Sequence, residues 1–273
     1  MSKIEDAIRK ASLNHEVSRR KNRESGIDRD ATDPSSTALN RRAPVLFRLQ
    51  AGLKFQPARA DLERNRIIHE GFAEEAMTGY KMLRTRIQQE LSSNEWKTLA
   101  ITAAQDGAGK TVTAINLAIT LALHGHHEIY LLDLDMRNPG IADSLGLPLD
   151  IPGLASYLDT DRSIRDLLWD VGVPNLIVLA NRDRMMDSSE RITSKRMQDM
   201  LHAFKSASPN PIIIIDLPPV LTADDAVAIA PFVDGLLLVA SEGETTRDDF
   251  KHALESLANA NIMGVVLNKA DPR

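Results

Sequence analysis

The sequence predicts an α/β fold in which a parallel β-sheet is covered by helices on both faces. Two observations favour this class. Short apolar runs rich in β-branched residues alternate with longer helical patterns, which is typical of βαβ units. Several of these runs end in a Gly-rich turn, a carboxylate or an amide, and parallel sheets bind their ligands beyond the carboxyl ends of the strands.

The predicted elements follow one another in a regular order after residue 72. The first is a helix at Ala73–Leu91 with one apolar and one polar face. Strands are predicted at Thr98–Thr102, Ile129–Asp133, Leu176–Ala180, Ile212–Asp216, Leu236–Ala240 and Ile262–Asn268. Further helices are predicted at Lys110–His124, Ser189–Phe204, Ala223–Ala230 and Arg247–Ala260. The four consecutive isoleucines that begin at Ile212 predict a strand buried on both faces, near the middle of the sheet.

Residues 1–60 are predicted to form a largely disordered extension, and residues 61–273 one folded domain. The stretch from Leu13 to Arg42 is polar and charged, so it cannot bury enough apolar surface to offset the entropy lost on ordering. Apolar residues at helical spacing predict one short amphipathic helix at the start of the extension, and they are Ile4, Ala7, Ile8 and Ala11.

Composition and charge exclude several classes of protein. The absence of cysteine excludes disulfides and thiolate metal sites, and it agrees with a cytoplasmic location. No signal peptide is expected, because the first residues contain no apolar segment. The longest apolar stretch, Ile115–Leu123, is far shorter than the roughly 20 residues that span a bilayer. Basic residues are concentrated before residue 67, and the acidic remainder argues against a nucleic-acid partner.

A Gly-rich turn separates the first predicted strand from the helix that follows it. Residues 104–111 fit the Walker A pattern, with Ala104 in place of its first glycine. In such a turn backbone N–H groups surround phosphate oxygens, and the helix N-terminus adds a favourable dipole. We expect Lys110 to meet the β- and γ-phosphates and not a buried carboxylate, and the Thr111 hydroxyl to ligate Mg²⁺. The residues predicted to bind the nucleotide here are Gln105, Asp106, Gly107, Ala108, Gly109, Lys110, Thr111 and Val112.

Three carboxylates stand at the ends of two further strands. Asp133 and Asp135 share one face of the chain, where the second strand ends. Asp216 ends the strand of isoleucines in the Walker B arrangement. Because paired carboxylates beside a phosphate require a cation, we predict a Mg²⁺ site held by Thr111, Asp133 and Asp216. The predicted catalytic residues are Lys110, Asp133, Asp135 and Asp216, and Arg137 is a further predicted contact to the nucleotide.

The last predicted strand ends in Asn268-Lys269-Ala270-Asp271, which has two interpretations. Asn-Lys-x-Asp is the guanine-reading motif of GTPases, in which the carboxylate pairs with the base. Asn268 can equally contact adenine, because it closes the final strand and offers both a donor and an acceptor. We favour adenine.

Together these motifs resemble the bacterial tyrosine kinases (BY-kinases). The signature of that family is a Walker A, an Asp-x-Asp-x-Arg segment called Walker A′ and a Walker B ending in Asp-x-Pro-Pro. The corresponding segments are Ala104–Thr111, Asp133–Arg137 and Asp216–Pro219. Gly109–Ala118, the first eight residues and Leu267–Ala270 are similar to the exosortase-linked exopolysaccharide tyrosine autokinases. The resemblance implies a P-loop NTPase with MinD/ParA-like architecture.

The resemblance also implies a function, cofactors and partners. It implies an ATP-binding protein tyrosine kinase, with ATP hydrolysis, that is associated with exopolysaccharide chain-length control and export. The implied cofactors are ATP and Mg²⁺. The implied partner is the cytoplasmic tail of a membrane-bound polysaccharide chain-length regulator, which recruits this cytoplasmic chain to the inner face of the cell membrane. The helix at Ala73–Leu91 is expected to mediate a homo-oligomer.

Three departures from the family pattern affect these expectations. The helical subunit-contact motif of the family, Glu-x-x-Arg-x-x-Arg, is replaced by Thr78–Arg84, which counts against assembly into a ring. Asp106-Gly107-Ala108 stands where the family usually has Pro-Gly-Glu, so the glutamate side chain is lost. The chain contains three tyrosines, Tyr80, Tyr130 and Tyr157, and phosphorylation of a C-terminal tyrosine cluster is therefore not expected.

Two alternative functions remain open at this point. The first is a MinD/ParA-type ATPase switch without kinase activity. That class carries an additional lysine at the start of its P-loop, where this chain has Gln105, which counts against it. The second is a GTPase, which depends on the motif at Asn268 alone.

Overall fold

Eight strands form one sheet within residues 49–270, the part of the chain that the computed structural model describes. The strands are β1 (Leu53–Lys54), β2 (Thr98–Ala103), β3 (Glu128–Asp133), β4 (Leu168–Asp170), β5 (Leu176–Leu179), β6 (Pro211–Asp216), β7 (Gly235–Ser241) and β8 (Ile262–Asn268). The helices are α1 (Arg59–Arg64), α2 (Glu74–Asn94), α3 (Lys110–His124), α4 (Ile141–Ser144), α5 (Leu154–Leu158), α6 (Ser188–Ile192), α7 (Lys195–Lys205), α8 (Asp225–Ile229) and α9 (Arg247–Ser256). Hydrogen-bonded neighbours in the sheet follow the order β1-β4-β5-β3-β6-β2-β7-β8.

The six strands that the sequence predicts are confirmed as β2, β3 and β5 to β8. Strand β6 lies between β3 and β2, and all its residues are buried, as its isoleucines predict. Strands β1 and β4 have no counterpart in the prediction. They contain two and three residues, which is too short to produce an alternating pattern.

The predicted parallel sheet is confirmed for six strands, β2, β3 and β5 to β8. Strand β4 runs antiparallel to β5, and β1 pairs in parallel with β4, so β1 and β4 run opposite to the other six. The reason lies in the connection. Residues 171–175 join β4 to β5 without a helix, and a turn this short can link only antiparallel neighbours. Gly172 and Asn175 adopt left-handed backbone conformations in the turn, with φ of +77° and +63°.

Helices cover both faces of the sheet, which confirms the predicted layers. Ile212 and Ile214 point into one apolar core, which is shared with α2 and α3. Ile213 and Ile215 point into a second core, which is shared with α7, α8 and α9. Successive side chains of a strand face opposite sides of a sheet, so the run of isoleucines contributes to both cores.

The predicted helices are confirmed with one exception. Helix α3 has the predicted ends, because it begins after Gly109 and stops at Gly125, both with left-handed φ. The helix predicted at Ser189–Phe204 is wrong as one element, since it is divided into α6 and α7. Ser194 has an extended backbone at the division, and its side chain accepts a hydrogen bond from the N–H of Met197, so it caps a new helix.

The predicted helix at the N-terminus and most of the predicted extension lie outside the described residues. Strand β1 and the first residues of α1 stand ahead of residue 61, and the division of the chain at residue 60 stays a prediction. Among residues 49–270, helices that combine the length and the apolar character needed to cross a membrane are absent.

Candidate active site

The phosphate-loop candidate, residues 104–109, connects β2 to α3 at the carboxyl edge of the sheet. Gly107 and Gly109 have φ of +80° and +89°, values that glycine adopts without strain. The side chains of Gln105 and Asp106 are exposed, Ala108 is buried, and Val112 on α3 packs against the first apolar core. The loop therefore presents backbone and small residues, as a phosphate-binding turn requires.

The three predicted carboxylates converge beside this loop. Strands β3 and β6 are neighbours, and Asp133 pairs with Asp216 in their register. Strand β2, which leads into the loop, lies on the other side of β6. Asp133, Asp135 and Asp216 are all completely buried. The carboxylates of two motifs that are far apart in the sequence thus form a single cluster in the fold.

Lys110 meets one of these buried carboxylates, so the expectation that it would avoid them is wrong. Its Nζ lies 2.5 Å from Oδ2 of Asp135, and both side chains are buried. Burial lowers the pKa of Lys110, but the negative charges of Asp216, Asp135 and Asp133 outweigh it and raise the pKa. Lys110 stays charged because it lies among three acidic groups.

Asp133 is held by the start of helix α4. Its Oδ2 accepts hydrogen bonds from the N–H groups of Gly140, at 3.1 Å, and Ile141, at 2.9 Å. Burial and the charge of Asp216 nevertheless raise its pKa well above the usual range of an aspartate. Sequence motifs did not identify these two donors, although Asn138-Pro139-Gly140 marks a turn there.

Asp216 accepts a hydrogen bond from the Thr111 hydroxyl at 2.6 Å. Burial raises the pKa of Asp216 to about 6, although Lys110 and the Thr111 hydroxyl oppose the shift. Oδ1 of Asp216 and Oδ1 of Asp133 are buried without a hydrogen-bond partner among the described residues. Unpartnered carboxylate oxygens beside a threonine hydroxyl are ligands that Mg²⁺ accepts, so the residues present fit such an ion.

Arg137 pairs with acidic residues at the start of α8. Its guanidinium lies 3.3 Å from carboxylate oxygens of both Asp224 and Asp225, and its Nε donates to Oγ of Ser188. Asp225 and Ser188 are fully buried, and the motif search missed both residues. The adjacent aspartates Asp224 and Asp225 were the sequence feature that could have indicated this cluster. An aspartate that is buried requires a partner of opposite charge or a hydrogen-bond donor, and Arg137 supplies it.

Asn268 lies next to the phosphate-loop candidate, at the end of β8. Its Nδ2 donates to the carbonyl oxygen of Ala108 at 2.8 Å. Lys269 has a left-handed φ of +58°, and its Nζ lies 2.6 Å from a carboxylate oxygen of Glu244. Asp271, the last residue of the predicted guanine motif, lies outside the described residues.

Comparison with known proteins defines the class first. Residues 99–273 match the CobQ/CobB/MinD/ParA nucleotide binding domain family, and this segment contains all the motifs of the site. The chain is therefore a P-loop nucleotide-binding protein.

Two relatives define the family within this class. The tyrosine-protein kinase CpsD of Streptococcus agalactiae is 31% identical over 194 residues, which cover 70% of this chain and 82% of that protein. The tyrosine-protein kinase YwqD of Bacillus subtilis is 30% identical over 191 residues, which cover 69% of this chain and 79% of that protein. The chain belongs to the bacterial tyrosine kinase family.

A solved structure shares the fold. The kinase domain of the Escherichia coli tyrosine kinase ETK superposes with a TM-score of 0.68 at 22% identity, and the alignment covers 82% of this chain and 90% of that domain.

Proposed function

We propose that this protein is an ATP-dependent protein tyrosine kinase associated with exopolysaccharide chain-length control and export. The observation that carries the proposal is the meeting of one lysine, one threonine and three buried carboxylates at the carboxyl ends of adjacent strands. Membership of the bacterial tyrosine kinase family supports the same reaction.

The proposed ligand is Mg-ATP. Backbone N–H groups of residues 105–111 hold the phosphates, and Val112 supports the loop from α3. Thr111, Asp133 and Asp216 hold Mg²⁺, which supplies positive charge to the phosphate oxygens during transfer. The two unpartnered carboxylate oxygens support this assignment. Asn268 belongs to the proposed site through its hydrogen bond to the carbonyl oxygen of Ala108, and Arg137 stays a predicted contact to the nucleotide.

Lys110 and Asp135 have coupled roles in the proposed transfer. Lys110 exchanges Asp135 for the β- and γ-phosphates when the nucleotide binds, and Asp135 loses its ammonium partner. The free carboxylate then accepts at Oδ2 the proton of the attacking tyrosine hydroxyl. The tyrosine oxygen forms a bond to the γ-phosphorus as the bond from that phosphorus to the bridging oxygen of ADP breaks.

The proposed partner is the cytoplasmic tail of a membrane-bound polysaccharide chain-length regulator, which recruits the chain to the inner face of the membrane. Helix α2 is the proposed contact in a homo-oligomer. Its surface includes Met82, whose side chain is 57% exposed, whereas Ile87 and Leu91 on the same helix are buried against the sheet.

The test is to incubate the purified chain with Mg²⁺ and γ-labelled ATP, with and without the tail of the regulator, and to map phosphotyrosine by mass spectrometry. We expect labelled tyrosine that is lost in Asp216→Asn and retained in Asp199→Asn, which changes an exposed aspartate on α7. Release of phosphate without labelled tyrosine in any mixture would favour the ATPase switch.

A further inference from the structure

The side chain of Asn268 connects the end of β8 to the middle of the phosphate loop. Its Nδ2 donates to the carbonyl oxygen of Ala108 at 2.8 Å, across 160 residues of sequence. Ala108 lies between Gly107 and Gly109, which both adopt positive φ. The hydrogen bond therefore reaches the part of the loop whose backbone is least restricted by its own side chains.

The side chain of Asn268 lies close against Gly109. A Cβ atom on Gly109 would lie 2.0 Å from Nδ2 of Asn268, so a side chain there would displace the amide that holds the loop. The φ of Gly109 is +89°, which other residues rarely adopt, so glycine suits both the contact and the backbone.

Asn268 is itself held in place from the β7 side of the sheet. Its carbonyl oxygen accepts a hydrogen bond from the N–H of Glu242 at 2.9 Å. The following residue, Lys269, forms an ion pair with Glu244, whose carboxylate also accepts a hydrogen bond from the Ser241 hydroxyl at 3.0 Å. The asparagine is thus anchored before any ligand arrives.

We propose that Asn268 is a positioning residue for the phosphate loop, acting on whatever phosphate chain binds there and not on the base. The carbonyl of Ala108 and the N–H of Gly109 belong to one planar peptide unit, in which the two bonds point in opposite directions. The hydrogen bond from Asn268 fixes the carbonyl, and it therefore also fixes the direction of the Gly109 N–H. This inference rests on the proposed binding of nucleotide at the loop.

Inorganic tripolyphosphate separates this role from base recognition, because it carries the phosphates of ATP and no base. Its affinity, with Mg²⁺, is measured by competition against ATP for the wild type and Asn268→Ala. We expect Asn268→Ala to lower the affinities for ATP and for tripolyphosphate by the same factor, about fivefold for the loss of one hydrogen bond. The ratio of ATP to GTP affinity should stay unchanged.

Asn261→Ala is the matched control. Asn261 precedes the other end of β8, and its Nδ2 also donates to a backbone carbonyl, that of Asp234, at 3.1 Å. We expect this substitution to change neither affinity. An equal loss of affinity in Asn261→Ala would mean that any disturbance of β8 is sufficient, and the specific role of Asn268 would be rejected.

Hydrogen exchange of the peptide that contains residues 104–110 gives a second measurement, made without ligand. We expect faster exchange there in Asn268→Ala than in Asn261→Ala or the wild type. A loss of ATP affinity with unchanged tripolyphosphate affinity and unchanged exchange would identify a base contact and overturn the inference. If the wild type binds neither ligand, the proposed function fails, while the exchange measurement still decides the role of Asn268.

Discussion

Asp133 on β3 and Asp216 on β6 stand at one level of the sheet, as partners in the register of two neighbouring strands. Both are completely buried, and each has a carboxylate oxygen without a hydrogen-bond partner in the described part of the chain. After burial, the charge of Asp216 is the largest cause of the raised pKa of Asp133. The pair is arranged for a cation, and its charges repel each other in the ligand-free protein.

We expect Asp133→Asn and Asp135→Asn to retain part of the nucleotide affinity and to lose most of the turnover. The charges of these groups matter more in the transition state of phosphoryl transfer than in the bound ground state. Nucleotide affinity and single-turnover transfer are measured for each variant. Wild-type rates in both variants would reduce the two carboxylates to structural residues.

The same two substitutions are expected to change stability in opposite directions. Asp133→Asn removes repulsion from Asp216 and should raise the free energy of unfolding of the ligand-free protein, on the order of 1 kcal/mol. Asp135→Asn removes the partner of the Lys110 ammonium and should lower it. Urea unfolding at neutral pH without Mg²⁺ measures both effects, and changes of the same sign would contradict the proposed pairing.

Lys110→Met should abolish nucleotide binding and also destabilise the fold, by about 3–5 kcal/mol, because it leaves Asp135 buried and unpaired. The double substitution Lys110→Met/Asp135→Asn should recover part of the lost stability without recovering binding. Lys195→Met is the control, since Lys195 forms an exposed ion pair with Asp199. An unchanged free energy of unfolding in Lys110→Met would mean that the ion pair contributes nothing.

The raised pKa of Asp216 predicts opposite pH dependences for stability and binding. Its value is 3.8 in an unperturbed aspartate and about 6 in the folded protein, so folding favours the protonated form. The stabilising contribution is present at low pH and is lost as the pH rises through about 6. Affinity for Mg-ATP should instead rise over the same range, because Mg²⁺ requires the ionised carboxylate. In Asp216→Asn the free energy of unfolding should change less between about pH 5 and 7.5 than in the wild type. An equal change in the two proteins would contradict the assignment.

The chain should prefer ATP to GTP despite its Asn-Lys-Ala-Asp sequence. A guanine-reading motif needs its asparagine as well as its aspartate, and here Nδ2 of Asn268 donates to the carbonyl oxygen of Ala108. Competition binding compares the two nucleotides, and Asp271→Ala should leave the preference unchanged. Tighter binding of GTP that is lost in Asp271→Ala would identify a GTPase.

The sequence predicted the elements that are determined by neighbouring residues in the chain. It did not predict the features that depend on contacts between distant residues. The strand of isoleucines and the start of α3 after Gly109 were predicted correctly. An apolar run and a Gly-rich turn each determine the structure of the few residues around them. Strand β4 has three residues, and only its pairing with β5 defines it. The five predicted catalytic and metal residues do come together. The ion pair of Lys110 with Asp135 could not be predicted, since spacing along the chain does not tell which carboxylate a long side chain reaches.

Helix α4 has only one turn, and backbone groups at both of its ends form hydrogen bonds with side chains from elsewhere in the chain. Its first N–H groups hold the carboxylate of Asp133, and Nδ2 of Asn65 lies 3.0 Å from the carbonyl oxygen of Ser144 at its last residue. A helix this short does not persist without outside contacts. Displacing the segment that contains Asn65 would therefore loosen the donors of Asp133. The position of the Asp133 carboxylate, the proposed Mg²⁺ ligand, thus depends on a contact made by the segment that precedes α2.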